Sequence, residues 1–187
     1  MILPIYAYGQ PVLKKVAKPI DPDYPDLAKL LEDMWETMYE ADGVGLAAPQ
    51  IGKSIRIFLV DSTPLFGEDE QDQGLKQAFI NAQILEEEGE LWPYEEGCLS
   101  IPNITGDVER LSEIRIRYQD ENFEEQEATF TGVTARVIQH EYDHIEGKLF
   151  TEKLKPIKKR MIKRRMEKIK KGDVKAKYRM KFASPRK

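Results

Sequence analysis

The chain contains two histidines, and they stand four residues apart in the stretch QHEYDH, residues 139–144. On a helix, residues at this spacing lie one turn above each other on the same face. His140 and His144 can therefore grip one metal ion, and Glu141 beside them is placed as a general base. A catalytic site of the zinc type takes three protein ligands and keeps a fourth position open. Whatever fold the chain adopts must therefore carry a third ligand to this helix from elsewhere. No third histidine exists. Glu152 lies too near the end of the helix, and Glu167 lies in a strongly basic segment. That leaves Cys98, the single cysteine, inside EGCLS (96–100), where Gly97 permits a tight backbone approach. A thiolate with two imidazoles suits a tetrahedral site completed by water. Taken alone, however, a lone cysteine is more often a small buried apolar residue, so the residues by themselves leave both readings open.

Periodicity around this motif gives the fold class. Leu27, Leu30, Leu31, Met34 and Met38 form one apolar stripe, predicting a helix over Asp26–Tyr39 that ends at Asp42-Gly43. GVGLAAPQIG (43–52), with three glycines and a proline, is not a regular helix. SIRIFLVD (54–61), QAFINAQIL (77–85) and EIRIRYQD (113–120) read as strands, and EEQEATFTG (124–132) pairs back on the last of them as a hairpin. The acidic stretch 62–76 reads as a turn-rich loop. TGVTARVIQHEYDHIEG (131–147) is a helix opened by Thr131 and closed by Gly147. The expectation is an α+β fold: antiparallel strands wrapped around a central metal-bearing helix, with N-terminal and C-terminal helices.

Charge divides the chain. From residue 153 onward there are 17 Lys and Arg against 2 Asp and Glu, a local charge of +15 that leaves −19 on the remainder. The reading is a catalytic domain over residues 1–152 and a basic helix and tail over 153–187. KPIKKRMIKRRMEKIKK (155–171) is helical, with Leu154, Ile157, Met161, Ile162, Met166 and Ile169 on one half of its circumference. Gly172 stops it, and the rest to Lys187 is expected to be disordered. The apolar half could dock on the acidic body, or the basic face could bind RNA. No apolar run is long enough for a membrane span and the start shows no signal peptide. A single cysteine fits a reducing, cytoplasmic setting.

Three motifs in order, GVGLAAPQ (43–50), EGCLS (96–100) and QHEYDH (139–144), resemble those of the peptide deformylases. The likeness extends over about residues 1–170, through INAQI, the SIP after the cysteine motif, and HIEGKLF after the histidines. The resemblance implies a metal-dependent hydrolase that removes the formyl group from N-formylmethionyl nascent peptides and releases formate. It makes Cys98 the third ligand beside His140 and His144, with Fe2+ as the expected ion and Zn2+, Ni2+ or Co2+ as other occupants. It makes Glu141 the proton carrier and assigns the oxyanion donors to the Gln50 side chain and the Leu99 backbone N–H. Gly43, Val44 and Gly45 would pair with the peptide, the alternative for the two glycines being a plain turn. Val133 and Val137, seven and three residues before His140, could line the methionine pocket or could be ordinary core. Glu96 and Arg110 match a family ion pair. Thr105 stands where family members commonly carry an arginine that touches the downstream peptide. Deformylases with a C-terminal helix also imply a ribosome partner through the basic tail, and neither a membrane nor DNA is expected as a partner. Two rivals share some of these features. A zinc endoprotease of the HExxH type would need a downstream third ligand and has no use for Cys98. A metal-stabilised RNA-binding domain would close all four metal positions.

Overall fold

A computed structural model describes residues 1–184. In chain order the regular elements are β1 (Ile5–Tyr6), α1 (Leu27–Glu40), β2 (Gly45–Ala47), β3 (Ile57–Asp61), β4 (Lys76–Cys98), β5 (Ile101–Gln119), β6 (Glu125–Thr131), α2 (Gly132–Ile145), α3 (Pro156–Lys170) and β7 (Met180–Lys181). Strands β2 to β6 form one antiparallel sheet in sequence order, and β1 pairs in parallel with β7 in a second, two-stranded sheet. The α+β expectation holds, and α2, the helix with both histidines, packs against β2, β3, β5 and β6.

The unbroken apolar run in β3 follows from helices on both of its faces. Ile57 and Leu59 face α1, where they meet Leu31, Met34 and Met38. Phe58 and Val60 face α2, packing with Phe79, Ala135 and Ile138. Successive strand residues point to opposite faces, so a strand buried on both sides cannot alternate with polar residues. The α1 stripe lands as its periodicity predicts, although the left-handed residue after the helix is Asp42 (φ 56°) rather than Gly43.

Three expectations change. The strands at 77–85 and 113–120 are the ends of a much longer hairpin, β4 running 23 residues and β5 running 19. The extension through EEEGELWPYEEGC is acidic and contains Pro93, which hides it from pattern reading. Past Ile80 only β5 pairs with β4, so its other edge faces no strand and tolerates charge and proline. The segment after Gly172 is not disordered over 172–184, since β7 pairs with β1 and Phe182 lies against Gly172; residues 185–187 lie outside the described residues. Finally, α3 buries only part of its apolar half. Ile162, Met166 and Ile169 join Leu154, Ile101, Ile104 and Val108 in a third core cluster, whereas Ile157 and Met161 are exposed. Both exposed residues lie on the outward face with Lys159, Arg160 and Lys163. Among the described residues, no helix is long and apolar enough to cross a membrane.

Candidate active site

The hairpin tip between β4 and β5 is what brings the third candidate donor to the histidines. Cys98 is the last residue of β4 and pairs with Ile101, so Leu99 and Ser100 form the turn. This turn lies against the face of α2 that carries the histidines. Cys98 Sγ is 3.3 Å from His144 Nε2, and one ligand atom from each of Cys98, His140 and His144 falls within 4.8 Å of the others. Two ligands on one ion at 2.0–2.3 Å sit roughly 3.5 Å apart in tetrahedral geometry. The donor set therefore fits a single divalent ion. Burial, with the neighbouring His140 second, holds the His144 imidazole well below its ordinary value, whereas at His140 burial is outweighed by the contacts with Cys98 and Glu96, which hold that imidazole well above it.

His140 is oriented from behind. Its Nδ1 is 2.9 Å from Glu96 Oε1, which leaves Nε2 for the ion. Glu96 is itself buried, and two guanidinium groups hold it. Arg110 donates to both of its oxygens, at 2.8 and 3.0 Å, and Arg136 donates at 3.0 Å. Burial alone would raise the Glu96 carboxyl. Hydrogen bonds from His140 and Arg110 outweigh it and hold the group well below the usual carboxylate range. Arg110 also donates to Asp143 at 2.8 Å, so the network returns to α2 on the next turn.

Glu141 is 4% exposed, and its Oε2 has no hydrogen-bond partner. Burial, the largest influence, pushes its carboxyl up to about 7, within reach of proton exchange near neutral pH. The carboxylate lies directly over Gly45, where a Cβ would collide with Glu141 Oε1. Glycine at 45 is thus dictated by the position of Glu141.

Gln50 is buried in the short 3-10 turn Ala48–Ile51 that follows β2. Its Oε1 accepts from the Ala47 backbone N–H at 2.9 Å, which fixes the amide so that Nε2 turns toward the site. Nε2 lies 3.2 Å from Ser100 Oγ and 3.5 Å from Cys98 Sγ. Gly43, Val44, Gly45, Gln50 and Leu99 line one cleft of about 800 Å³ together with Cys98, His140, Glu141 and Val137. His144 lies beneath this surface, 1% exposed. Val133, a turn before Val137, is not among the lining residues, whereas Thr105 is. Glu152, weighed above as a ligand, instead pairs with Lys14 at 2.7 Å.

Sequence reading missed four contributors. Arg136 is 2% exposed and stacks over Trp92 while holding Glu96. Asp143 is the second partner of Arg110, and Ser100 the partner of Gln50. The fourth is the run Lys175–Tyr178, which lines the cleft from the tail. For the first, the available signal was an arginine one turn before His140 on the same helix face.

A thiol and two imidazoles aimed at one point, beside a buried carboxylate with no protein partner at Oε2, suit metal-assisted hydrolysis, in which a water is deprotonated next to the ion. That is the class the fold and the site define. The family model described as polypeptide deformylase matches residues 2–160. A peptide deformylase of Christiangramia forsetii is 53% identical over 194 residues, covering 100% of this chain and 99% of that protein. One from Flavobacterium johnsoniae is 52% identical, with 100% and 99% covered. Among solved structures, a peptide deformylase from Legionella pneumophila superposes with a TM-score of 0.80 at 36% identity, covering 92% of this chain and 98% of that one. The chain belongs to the polypeptide deformylase family, and it is an enzyme that removes the N-formyl group from nascent peptides. The endoprotease reading is not favoured, since the nearby third donor is Cys98 and not a downstream residue.

Proposed function

We propose that Cys98, His140 and His144 hold one Fe2+ ion and that Glu141 carries the proton in hydrolysis of the formyl amide. The bound ion would supply Lewis acidity, lowering the pKa of a water and polarising the formyl carbonyl. Glu141 takes the proton from the attacking water and returns it to the departing amine of methionine, releasing formate. Charge that develops on the formyl oxygen is met by the Gln50 amide and the Leu99 N–H, two donors whose positions are set before substrate arrives. The peptide lies along β2, the outer strand of the sheet, and extends it as an added strand through Gly43, Val44 and Gly45. Val137 borders the space for the methionine side chain. The observation that carries this reading is the buried Glu141 carboxylate, with no protein partner at Oε2 and seated over Gly45.

Formate release from a short formylmethionyl peptide tests it. The metal-loaded protein should release formate from that peptide and leave internal bonds of unformylated peptides intact. Cleavage of internal bonds without formate release would replace this reading with the endoprotease one. Iron is proposed over Zn2+, Ni2+ and Co2+, which accept the same donors. An iron–thiolate site should lose activity under peroxide, and a zinc-loaded sample should resist it.

The same proposal places the enzyme in the cytoplasm, with the tail from residue 153 folding as part of the catalytic unit and its outward basic face on ribosomal RNA. Charge reversal at Lys159, Lys163 and Arg164, all exposed, should abolish co-sedimentation with ribosomes at low salt and spare hydrolysis of a small peptide. Unchanged co-sedimentation would remove α3 as the anchor.

A further inference from the structure

The two residues at the tip of the β4–β5 hairpin have a particular problem. Cys98 and Ile101 are the last paired positions, so the sheet ladder does not hold Leu99 and Ser100. Yet Leu99 is a proposed oxyanion donor and its neighbour is a metal ligand, and groups that stabilise a transition state must be fixed in advance.

Both tip carbonyls are held from outside the hairpin. The backbone N–H of Tyr8, just beyond β1, donates to the Ser100 carbonyl at 2.9 Å. The hydroxyl of Tyr178, just before β7, donates to the Leu99 carbonyl at 2.7 Å. These anchors come from residues that flank the two strands of the small parallel sheet. That sheet is tied by the pairs Ile5↔Met180 and Tyr6↔Lys181, with Ile5 N–H on the Arg179 carbonyl and Ala7 N–H on the Lys181 carbonyl, both at 2.9 Å. The run before Tyr178 is pinned again where Asn103 Nδ2 donates to the Lys175 carbonyl at 2.9 Å. Burial and the nearby Cys98 push the Tyr178 phenol up, so its hydroxyl remains a donor across the working pH range.

We infer that Tyr178 is a positioning residue for deformylation: the β1–β7 sheet clamps the hairpin tip, and the Tyr178 hydroxyl sets the Leu99 backbone that faces the formyl oxygen. This rests on the oxyanion role proposed above for Leu99 and Gln50. The segment that leads into β7 carries Lys175–Tyr178 along the wall of the cleft, so the tail is built into the site and is not only an appendage for docking.

The test is Tyr178→Phe in the full-length, metal-loaded enzyme, with Gln50→Leu measured in parallel. Phenylalanine keeps the ring and removes one hydrogen bond. The expected result is a 3- to 10-fold lower kcat on a short formylmethionyl peptide, on the order of one lost hydrogen bond, with KM within about twofold. Amide hydrogen exchange over residues 98–101 should quicken, while exchange in α1 and β3 and the metal content stay as in the parent. Unchanged kcat and unchanged exchange at the tip, with Gln50→Leu still lowering kcat, would overturn the role of Tyr178 alone. Unchanged kcat in both variants would overturn the oxyanion reading beneath it. A loss of kcat accompanied by faster exchange throughout the chain and a lower Tm would assign Tyr178 to general stability and also overturn the inference.

Discussion

Near the tip of the long hairpin, Glu96 and Arg110 pair with 4% and 5% of their side chains exposed; toward its base, Glu86 and Arg115 pair across the same two strands with 51% and 38% exposed. The distances are alike, 2.8 and 3.0 Å. Both pairs are also part of a network, since Arg115 reaches Glu127 on β6 while Arg110 reaches Asp143 on α2. What differs is the solvent. Water screens and competes at the exposed ladder, so such pairs contribute little. At the buried network every charge depends on its partners, and removing one leaves the others desolvated and unpaired. The buried pair is also the only one of the two connected to a proposed metal ligand, through the Glu96–His140 contact. Similar pairs thus differ in consequence: the exposed one adds little, whereas the buried one ties β4 and β5 to α2 beside His140.

Breaking the buried side should have the largest effect. Glu96→Ala strands Arg110 and Arg136 without their shared carboxylate and should cost about 3–5 kcal/mol in denaturant unfolding. Metal affinity should fall roughly 10- to 100-fold as His140 loses its orienting partner, measured by competition with a chelator. Asp143→Ala removes one of two partners of Arg110 and keeps the Glu96 contact to His140, so about 1–3 kcal/mol is expected with metal affinity nearly unchanged. Arg115→Ala should leave the melting curve within the scatter of repeats and activity untouched. A large loss there, or a small one at Glu96, would show that burial is not what separates the two networks.

This contrast also explains what pattern reading could and could not reach. The metal helix was legible because ligand spacing and helical periodicity coincide at His140 and His144. Helix α1 was legible because its apolar stripe is complete. The inner half of the hairpin was not, because EEEGELWPYEEGC mixes acid, glycine and proline in a strand with one unpaired edge. Arg136 and Asp143 gave little signal because their meaning lies in partners 28 to 40 positions away, which include Val108 and Glu96 for Arg136 and Arg110 for Asp143. The tail is a different case. DVKAKYRMKF (173–182) alternates polar and apolar residues, a strand pattern that its positive charge obscured, and Val174, Met180 and Phe182 pack on the third core cluster. Cys98 needed the family resemblance, because nothing local separates a ligand cysteine from a buried one.

The proposed chemistry depends most on a division of labour, in which Cys98, His140 and His144 hold the ion and Glu141 moves the proton. The most direct measurement is the metal content and formate release of Glu141→Ala beside the parent enzyme, each loaded with the same ion under the same conditions. The prediction is a metal content matching the parent and turnover of a formylmethionyl peptide lower by at least ~10²-fold, the usual scale for a lost general acid–base group. Near-parental turnover, or loss of the ion along with the carboxylate, would contradict it.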